Sequence, residues 1–558
     1  MTDATEAWDH ECDVLVVGSG NAGLVAALAA RHFGLDVLVI EKADRYGGSS
    51  ALSGGGVWVP NNPVNVRAGV RDTREKARQY LKAIIGDRVP EGRIDAYLDY
   101  GPEMIQFLEE HTHARYMRVP GYSDYHPEEP GGDPQGRTME PVPFDTRKLG
   151  DDADGLNRQD VMKPPGGLCI TTVDYRQLTQ IMRTWTGRLG AARVGARTVV
   201  SKVTGRRLVS LGAAGVARLR LSLREAGIPL WLSTPLDELI VRDDAVVGVR
   251  ATRDGASITI RAKRAVVLAS GGFEHNDEMR RKYQSEPITT KWTSGAKSNT
   301  GDGINAGLAV GGTVDLMDDA WWGPTVMMGP VPFFLLAERS LPGAIVVNGA
   351  GQRYVNEAAP YVNFVHSMYE GQETGVDHIP SYLIFDQRYR NRYPFSIVPP
   401  RRPIPQKWID AGIVKVGATL DDLAGKIGVP ADTLRSTVDR YNSLVEGGRD
   451  LDFGKGDSAY DRYYGDPSIS PNPCLAPVDR GPFYAAALWP GDLGTKGGLV
   501  CDERSRVLRA DGSPIPGLYA SGNVTASVMG NEYPGPGGTL GPAMTFGYIA
   551  AKDIAGKL

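Results

Sequence analysis

Apolar and polar positions follow several periods along the chain, and each period predicts a different kind of element. Residues 12–17 (CDVLVV) are a short apolar run rich in β-branched residues, the pattern of a buried strand. A glycine-rich turn, Gly18-Ser19-Gly20-Asn21-Ala22-Gly23, follows at once. LVAALAARHFG then reads as a helix ending near Gly34, and DVLVIEK as a second strand ending at Glu41. Strand, helix and strand within about thirty residues make a complete βαβ unit. Residues 76–111 read as helical, and 119–145, rich in Pro and Gly, as a long loop. Between 229 and 270 four runs (PLWLST, ELIVR, AVVGVRATR, SITIRAKRAVVLAS) carry strand patterning. The last ends in AVVLAS before Gly271-Gly272, which predicts that the chain rejoins the first unit there. Residues 318–487 differ in character, being aromatic and Pro-rich with a helical stretch near 421–448. The final segment, around LVCDERSRVLRADGSPIPGLYASGNV, reads strand–turn–strand and ends beside a glycine-rich loop.

Composition narrows the class. Of 558 residues, 41% are hydrophobic and 23% charged, the balance of a packed globular chain. The net charge of −4 gives no electrostatic argument for nucleic acid. Sixty-nine glycines far exceed the ~7% that is typical and point to tight turns and close backbone approach to a ligand. Cys12, Cys169, Cys474 and Cys501 are far apart and form no CxxC and no Cys/His cluster, so neither a zinc site nor a disulfide framework is expected. The polar N-terminus is no signal peptide, and Pro324, Pro330 and Pro332 interrupt the uncharged run 320–337, so a cytoplasmic location is expected.

The glycine turn carries chemistry because several parts agree. Gly18 permits the tight turn, Gly20 lets backbone approach a pyrophosphate, and Gly23 lets helix and strand pack closely. Free N–H groups at the helix start favour the phosphate, and Glu41 can accept from ribose hydroxyls while repelling a 2′-phosphate. This fingerprint alone fits either FAD or NAD.

The continuation EKADRYGGSSALSGGG resembles the flavoproteins related to fumarate reductase. Further matches are ASGGF at 269–273, NTGDG at 299–303, GAIVVN at 343–348, RYVNE at 353–357 and GLYASGN at 517–523. The resemblance implies noncovalent FAD, held by Gly18, Gly20, Ala22, Gly23, Glu41 and Lys42, then by Gly48, Ser49, Ser50, Ser53, Gly54 and Gly55. It adds Ala269, Ser270, Gly271, Asn299, Gly301 and Asp302, and at the C-terminal side Gly522, Asn523 and Leu540. Acid reductases of that group carry a His before a Met-Gly-Gly turn and an Arg in the last glycine-rich loop; here the turn reads GTKGG and the loop NEYPGPGG, with tyrosine in place of arginine. Arg339 lies near where those reductases keep an acid-donating Arg, but its spacing to Gly343 is one residue longer, and it reads as a salt-bridge or surface residue.

The loop YPGPG, the turn LGTKGG, the run GGGVWVPNN and the loop VPGYSDYHP are together similar to the 3-ketosteroid Δ1-dehydrogenases. That resemblance implies desaturation of a 3-ketosteroid A ring between C1 and C2, with electrons passing from FAD to an external, quinone-like or dye acceptor. It implies a ketone-binding Tyr533 with the Gly537 N–H, a proton-abstracting Tyr361, and a supporting Tyr125, with Tyr122 three residues away as the alternative. The residue types suit the task. A hydroxyl and an N–H can share an enolate oxygen, and a phenol becomes a usable base when a second hydroxyl stabilises its anion.

The expected fold class is α/β: a Rossmann-type FAD domain, residues 1–317 and 488–558, with an inserted α+β substrate domain, 318–487. Two other flavin chemistries stay open, a 3-ketosteroid Δ4-dehydrogenase and a fumarate-reductase-like alkene reductase, as does a flavin-binding electron-transfer protein without its own substrate. Residues 183–224 hold ten Arg or Lys and no acid, interleaved with apolar residues, and read as a candidate for peripheral contact with anionic lipid. The run 321–336 is a candidate apolar wall for the substrate cleft.

Overall fold

A computed structural model describes residues 8–158 and 167–558. The run 12–17 becomes the strand His10–Val17, central in an eight-stranded sheet. It pairs in parallel with Val37–Ile40 on one side and Ala256–Leu268 on the other, and Pro514–Ala520 extends the parallel order beyond Ala256–Leu268. The expected return to the first unit is thus the strand Ala256–Leu268, fed by antiparallel hairpin strands Leu236–Arg242 and Ala245–Arg253. The helix Asn21–His32 buries its first ten residues, mostly small, which lets the C-terminal helix Leu540–Ile554 pack closely against it.

A second, six-stranded sheet is built on the long strand Phe483–Thr495, which pairs antiparallel with Ala320–Met328, Ser381–Asp386 and Val414–Gly417 and runs through position 487/488. Its two faces follow the strand period of two. Ala344 and Val346 face the large core that contains Tyr361 and Phe364, whereas Ile345 and Val347 face a smaller core under the helices Leu420–Ile427 and Ala431–Glu446. Gly428 at φ +75° and Pro430 split the helical stretch 421–448 into those two. Likewise 76–111 is two helices, Arg74–Ile85 and Glu91–His111, separated by Gly86 at φ +63° and Pro90.

Two sequence expectations are corrected. The loop 119–145 contains the strands Thr138–Pro141 and Phe144–Asp145, because Thr138–Pro141 pairs with both Val57–Trp58 and Tyr116–Arg118. The basic stretch 183–224 is not one surface. The helix Trp185–Val203 exposes Trp185, Leu189, Val199, Val200 and Val203 along with Arg188, Arg193 and Lys202. The helix Leu211–Glu225 is largely buried: Arg218 donates to the carbonyls of His113, Val142 and Pro143, and Arg220 pairs with Asp152. Arg183 and Arg197 are also neutralised, by Asp466 and Asp174. Among the described residues no helix is long and apolar enough to cross a membrane.

Candidate active site

One continuous cavity of about 560 Å³ runs from Glu41 to a cluster of tyrosines. Its dinucleotide end is made at the carboxyl end of the first strand. Gly18 sits at φ +110°, and a Cβ there would lie 2.3 Å from the Ala269 carbonyl oxygen, so two strand ends meet over this glycine. The Glu41 carboxylate accepts from the Ser19 N–H (3.0 Å), the Ser19 hydroxyl (2.6 Å) and the Ala43 N–H (3.0 Å), which fixes it at the cavity wall. Gly20 and Ala22 line the cavity with Gly48, Ser49, Ser50, Ser53, Gly54 and Gly55. Facing them are Ala269, Ser270, Gly271, Asn299 and Asp302, and then Gly522, Asn523 and Leu540. Lys42 also lines this end, its ammonium held by Asp302 and the Thr300 hydroxyl, both at 2.6 Å.

Two expected positions stand back from the cavity. Gly23 packs helix on strand, since a Cβ there would lie 2.1 Å from the Gly18 oxygen; Gly301, at φ +82°, starts the helix Asp302–Ala309 against Met279. The buried Asn21 Oδ1 and Ser270 Oγ line the cavity without a protein partner. Crowded glycines, an acid at the second strand's end and unpaired buried acceptors and donors together fit an extended dinucleotide such as FAD.

The other end is phenolic. The Tyr125 and Tyr361 hydroxyls are 2.8 Å apart, and the rings of Tyr125, Tyr361 and Tyr533 form an edge-to-face triangle with centroids 5.1–5.5 Å apart. Tyr361 opens the helix Tyr361–Gln372, and Phe334 packs on its ring at 5.0 Å. Tyr122 also lines the cavity, but its ring stacks on Tyr463 at 4.2 Å and its hydroxyl accepts from the Tyr464 hydroxyl at 3.2 Å. Burial pushes Tyr361 and Tyr125 well above the ordinary phenol range. Burial raises Tyr533 too, opposed by the Thr539 hydroxyl at 3.0 Å, by Tyr361, and by the Gly537 N–H.

The loop that presents Tyr533 and Gly537 is pinned through its carbonyls. Pro534 accepts from the Tyr80 hydroxyl (2.7 Å) and the Tyr125 N–H (3.0 Å), Pro536 from the Thr138 hydroxyl (2.7 Å), and Gly537 from the Trp58 N–H (3.1 Å). The buried Lys496 ammonium holds the carbonyls of Asn531 (2.8 Å) and Glu532 (3.3 Å) and pairs with Asp319 at 2.9 Å. Of the apolar run 321–336, Pro332, Phe334 and Leu336 line the cavity, whereas Trp321 packs on Tyr533 at 4.7 Å. Among the described residues lining the cavity, Lys42 is the sole basic side chain, and it lies at the dinucleotide end.

Arg339 departs from its expected role. It is fully buried and donates to the carbonyls of Glu357 and Ala359, both at 2.6 Å, with no carboxylate at ion-pair distance among the described residues. Sequence reasoning missed Tyr80, Thr138 and Asp319, whose partners are far away along the chain, and also Thr539, whose partner Tyr533 is six residues away. The motif LGTKGG carried Lys496 but gave no sign of its partner.

Residues 13–540 match a family described as FAD binding domain. A 3-oxosteroid 1-dehydrogenase of Mycolicibacterium smegmatis is 53% identical over 98% of this chain and 97% of its own. One of Mycobacterium tuberculosis is 54% identical over 98% of each. A crystal structure of 3-ketosteroid delta1-dehydrogenase from Sterolibacterium denitrificans in complex with 1,4-androstadiene-3,17-dione superposes with a TM-score of 0.94 at 41% identity, covering 98% of this chain and all of that one. With the FAD binding domain family matched over residues 13–540 and identity above half over nearly the full length, the chain belongs to the FAD-binding flavoprotein family that contains the 3-oxosteroid 1-dehydrogenases.

Proposed function

We propose that the protein desaturates the A ring of 3-ketosteroids between C1 and C2, using FAD as the hydride acceptor. The observation that carries this reading is the neutral group Tyr125–Tyr361–Tyr533 with Gly537, at one end of the cavity whose other end has the glycine-rich lining that fits a dinucleotide. The Tyr533 hydroxyl and the Gly537 N–H hold the C3 carbonyl oxygen and carry the negative charge that develops on it. The polarised ketone acidifies C2, and Tyr361 removes a C2 proton. The Tyr125 hydroxyl, 2.8 Å from Tyr361, donates to the forming phenolate. FAD, when bound, supplies the acceptor for the C1 hydride, so that C1 and C2 are left doubly bonded. Electrons then leave for an external acceptor. Phe334, Leu336 and Pro332 give the cavity an apolar wall suited to a steroid.

The test is anaerobic mixing of the yellow protein with androst-4-ene-3,17-dione. Bleaching of oxidised flavin with formation of the 1,4-diene is expected, and Tyr361→Phe should slow it by roughly 10²–10⁴-fold. No bleaching, with reoxidation of prereduced protein by an unsaturated acid, would move the protein to the reductase chemistry. The expected boundary at 487/488 moves to the end of the strand Phe483–Thr495, which belongs to the second sheet, so the division becomes 1–317 with 496–558 against 318–495, the reacting groups coming from both. Peripheral contact with anionic lipid is assigned to the helix Trp185–Val203 alone, because it carries the exposed apolar and basic residues of the stretch together.

A further inference from the structure

A phenol buried among phenols is a poor base unless a positive charge is near. The titratable groups facing Tyr361 are Tyr125, Tyr533, Tyr122 and Tyr460, all neutral phenols. Behind them lies Arg339. Its Nη1 donates to the Glu357 and Ala359 carbonyls, in the turn that leads into Tyr361, and its guanidinium stands over the Phe364 ring at 5.5 Å, one helical turn beyond Tyr361. Its Nε and Nη2 are buried without a hydrogen-bond partner. Tyr460 lies beside it, and the Tyr460 ring packs on Tyr125 at 4.7 Å.

The carboxylates around Arg339 are engaged elsewhere. Glu338 accepts from the Ser396 N–H. Glu357 is paired with Arg353 and Lys455. Asp461 accepts from the Asn356 side chain and the Gly456 N–H. Burial raises the Glu338 carboxyl, and the guanidinium charge opposes that rise without an ion pair among the described residues, so in a water-poor interior the field of Arg339 also reaches Tyr460 at the edge of the tyrosine cluster. Burial raises Tyr460, yet Arg339 opposes that rise and leaves it at about 12, whereas Tyr125 and Tyr361 lie well above the ordinary value.

We infer that Arg339 is a positioning residue for the proton abstraction: its unpaired buried charge, acting through Tyr460 and Tyr125, stabilises the negative charge that Tyr361 acquires. This rests on the assignment of Tyr361 as the base under the proposed function. A merely structural arginine would hold the Glu357–Ala359 turn and change the rate equally at every pH. A charge acting on the base changes where along the pH axis the base works.

The experiment follows exchange of the steroid C2 hydrogens with D₂O by NMR, using holoenzyme whose flavin is photoreduced so that hydride cannot leave C1. In Arg339→Gln, exchange at neutral pH is expected to fall about tenfold and to recover at alkaline pH, the profile moving up by about one pH unit. Arg339→Lys, which keeps the charge, should leave the profile in place. A lowered plateau with an unmoved profile, or no change, would overturn the inference. If Arg339→Gln does not fold, Tyr460→Phe carries the test: it should move the profile in the same direction by less, and an unmoved profile there counts against the proposal. Tyr361→Phe separates the two levels. Exchange that persists in it sinks the proposed base itself, whereas exchange lost in it with an unmoved Arg339→Gln profile sinks only the role of Arg339.

Discussion

At Gly537 the backbone adopts φ +98°, and a Cβ would lie 2.3 Å from the Gly56 carbonyl carbon and 2.5 Å from the Val57 nitrogen. Neither neighbour is a side chain that can swing aside. Gly537→Ala therefore meets a left-handed backbone cost of about 1–2 kcal/mol and a backbone collision that displaces its N–H from the Tyr533 hydroxyl. We expect a melting temperature lower by several degrees together with loss of steroid turnover. Gly425→Ala, exposed within the helix Leu420–Ile427 with nothing near its Cβ, is the control and should gain about 0.5–1 kcal/mol. Residue chemistry of this kind is partly legible in a sequence. The glycine pattern and the tyrosine loops mark the right segments, but spacing alone cannot choose between Tyr122 and Tyr125. That choice depends on Tyr464, more than three hundred residues away, which takes the Tyr122 hydroxyl and leaves Tyr125 to Tyr361.

Elements hold the site through contacts that no local pattern encodes. Lys496 follows the strand Phe483–Thr495 and ties the loop of Tyr533 to Asp319, a partner 177 residues earlier in the chain. Burial pushes the Asp319 carboxyl up, but Lys496, with His366 at 3.0 Å, outweighs it and holds the group well below the usual carboxylate range. A depressed carboxyl stabilises the fold above its unfolded pKa of ~3.9, and that contribution is lost as pH falls toward the folded value. Lys496→Met reverses the sign. Asp319 then keeps His366, Asn531 and the Ala320 N–H in a buried setting, its folded pKa rises, and ionising it becomes a cost that grows with pH. We expect a loss of about 3–5 kcal/mol at neutral pH, smaller at pH 5, read from denaturant unfolding of the holoprotein at both values. Adding Asp319→Asn should recover part of it. A loss independent of pH would show that Lys496 acts through its packing over Trp321 rather than through its charge.

The architecture as a whole was the most legible feature, since a βαβ unit, a returning strand and a glycine-rich end each rest on short-range periodicity that survives folding intact. What the sequence hid was exposure. Ten basic residues without an acid look like one cationic surface, yet Arg218 and Arg220 are consumed inside the fold while the helix Trp185–Val203 faces outward. That helix buries Gly187, Gly190 and Val194, and a Cβ at Gly190 would lie 2.5 Å from the Gln177 side chain, so small residues seat it on the helix Thr172–Thr179 and leave its apolar flank free. Trp185 is 70% exposed and Val203 81%, a costly arrangement in water that burial in an interfacial lipid layer would offset. Each nearby cation adds about 1 kcal/mol of attraction to an anionic surface, screened beyond roughly 10 Å at 0.1 M salt. The protein should therefore pellet with anionic vesicles at low salt and much less at high salt. Neutralising Arg188, Arg193 and Lys202 should weaken pelleting by several-fold per charge, and Trp185→Ser should weaken it at every salt concentration. Arg218→Gln and Arg220→Gln, which disturb buried contacts, should lower stability and leave pelleting of the folded protein unchanged. Pelleting insensitive to the first set would remove the helix from any role at a membrane and leave its exposed apolar flank to a protein partner.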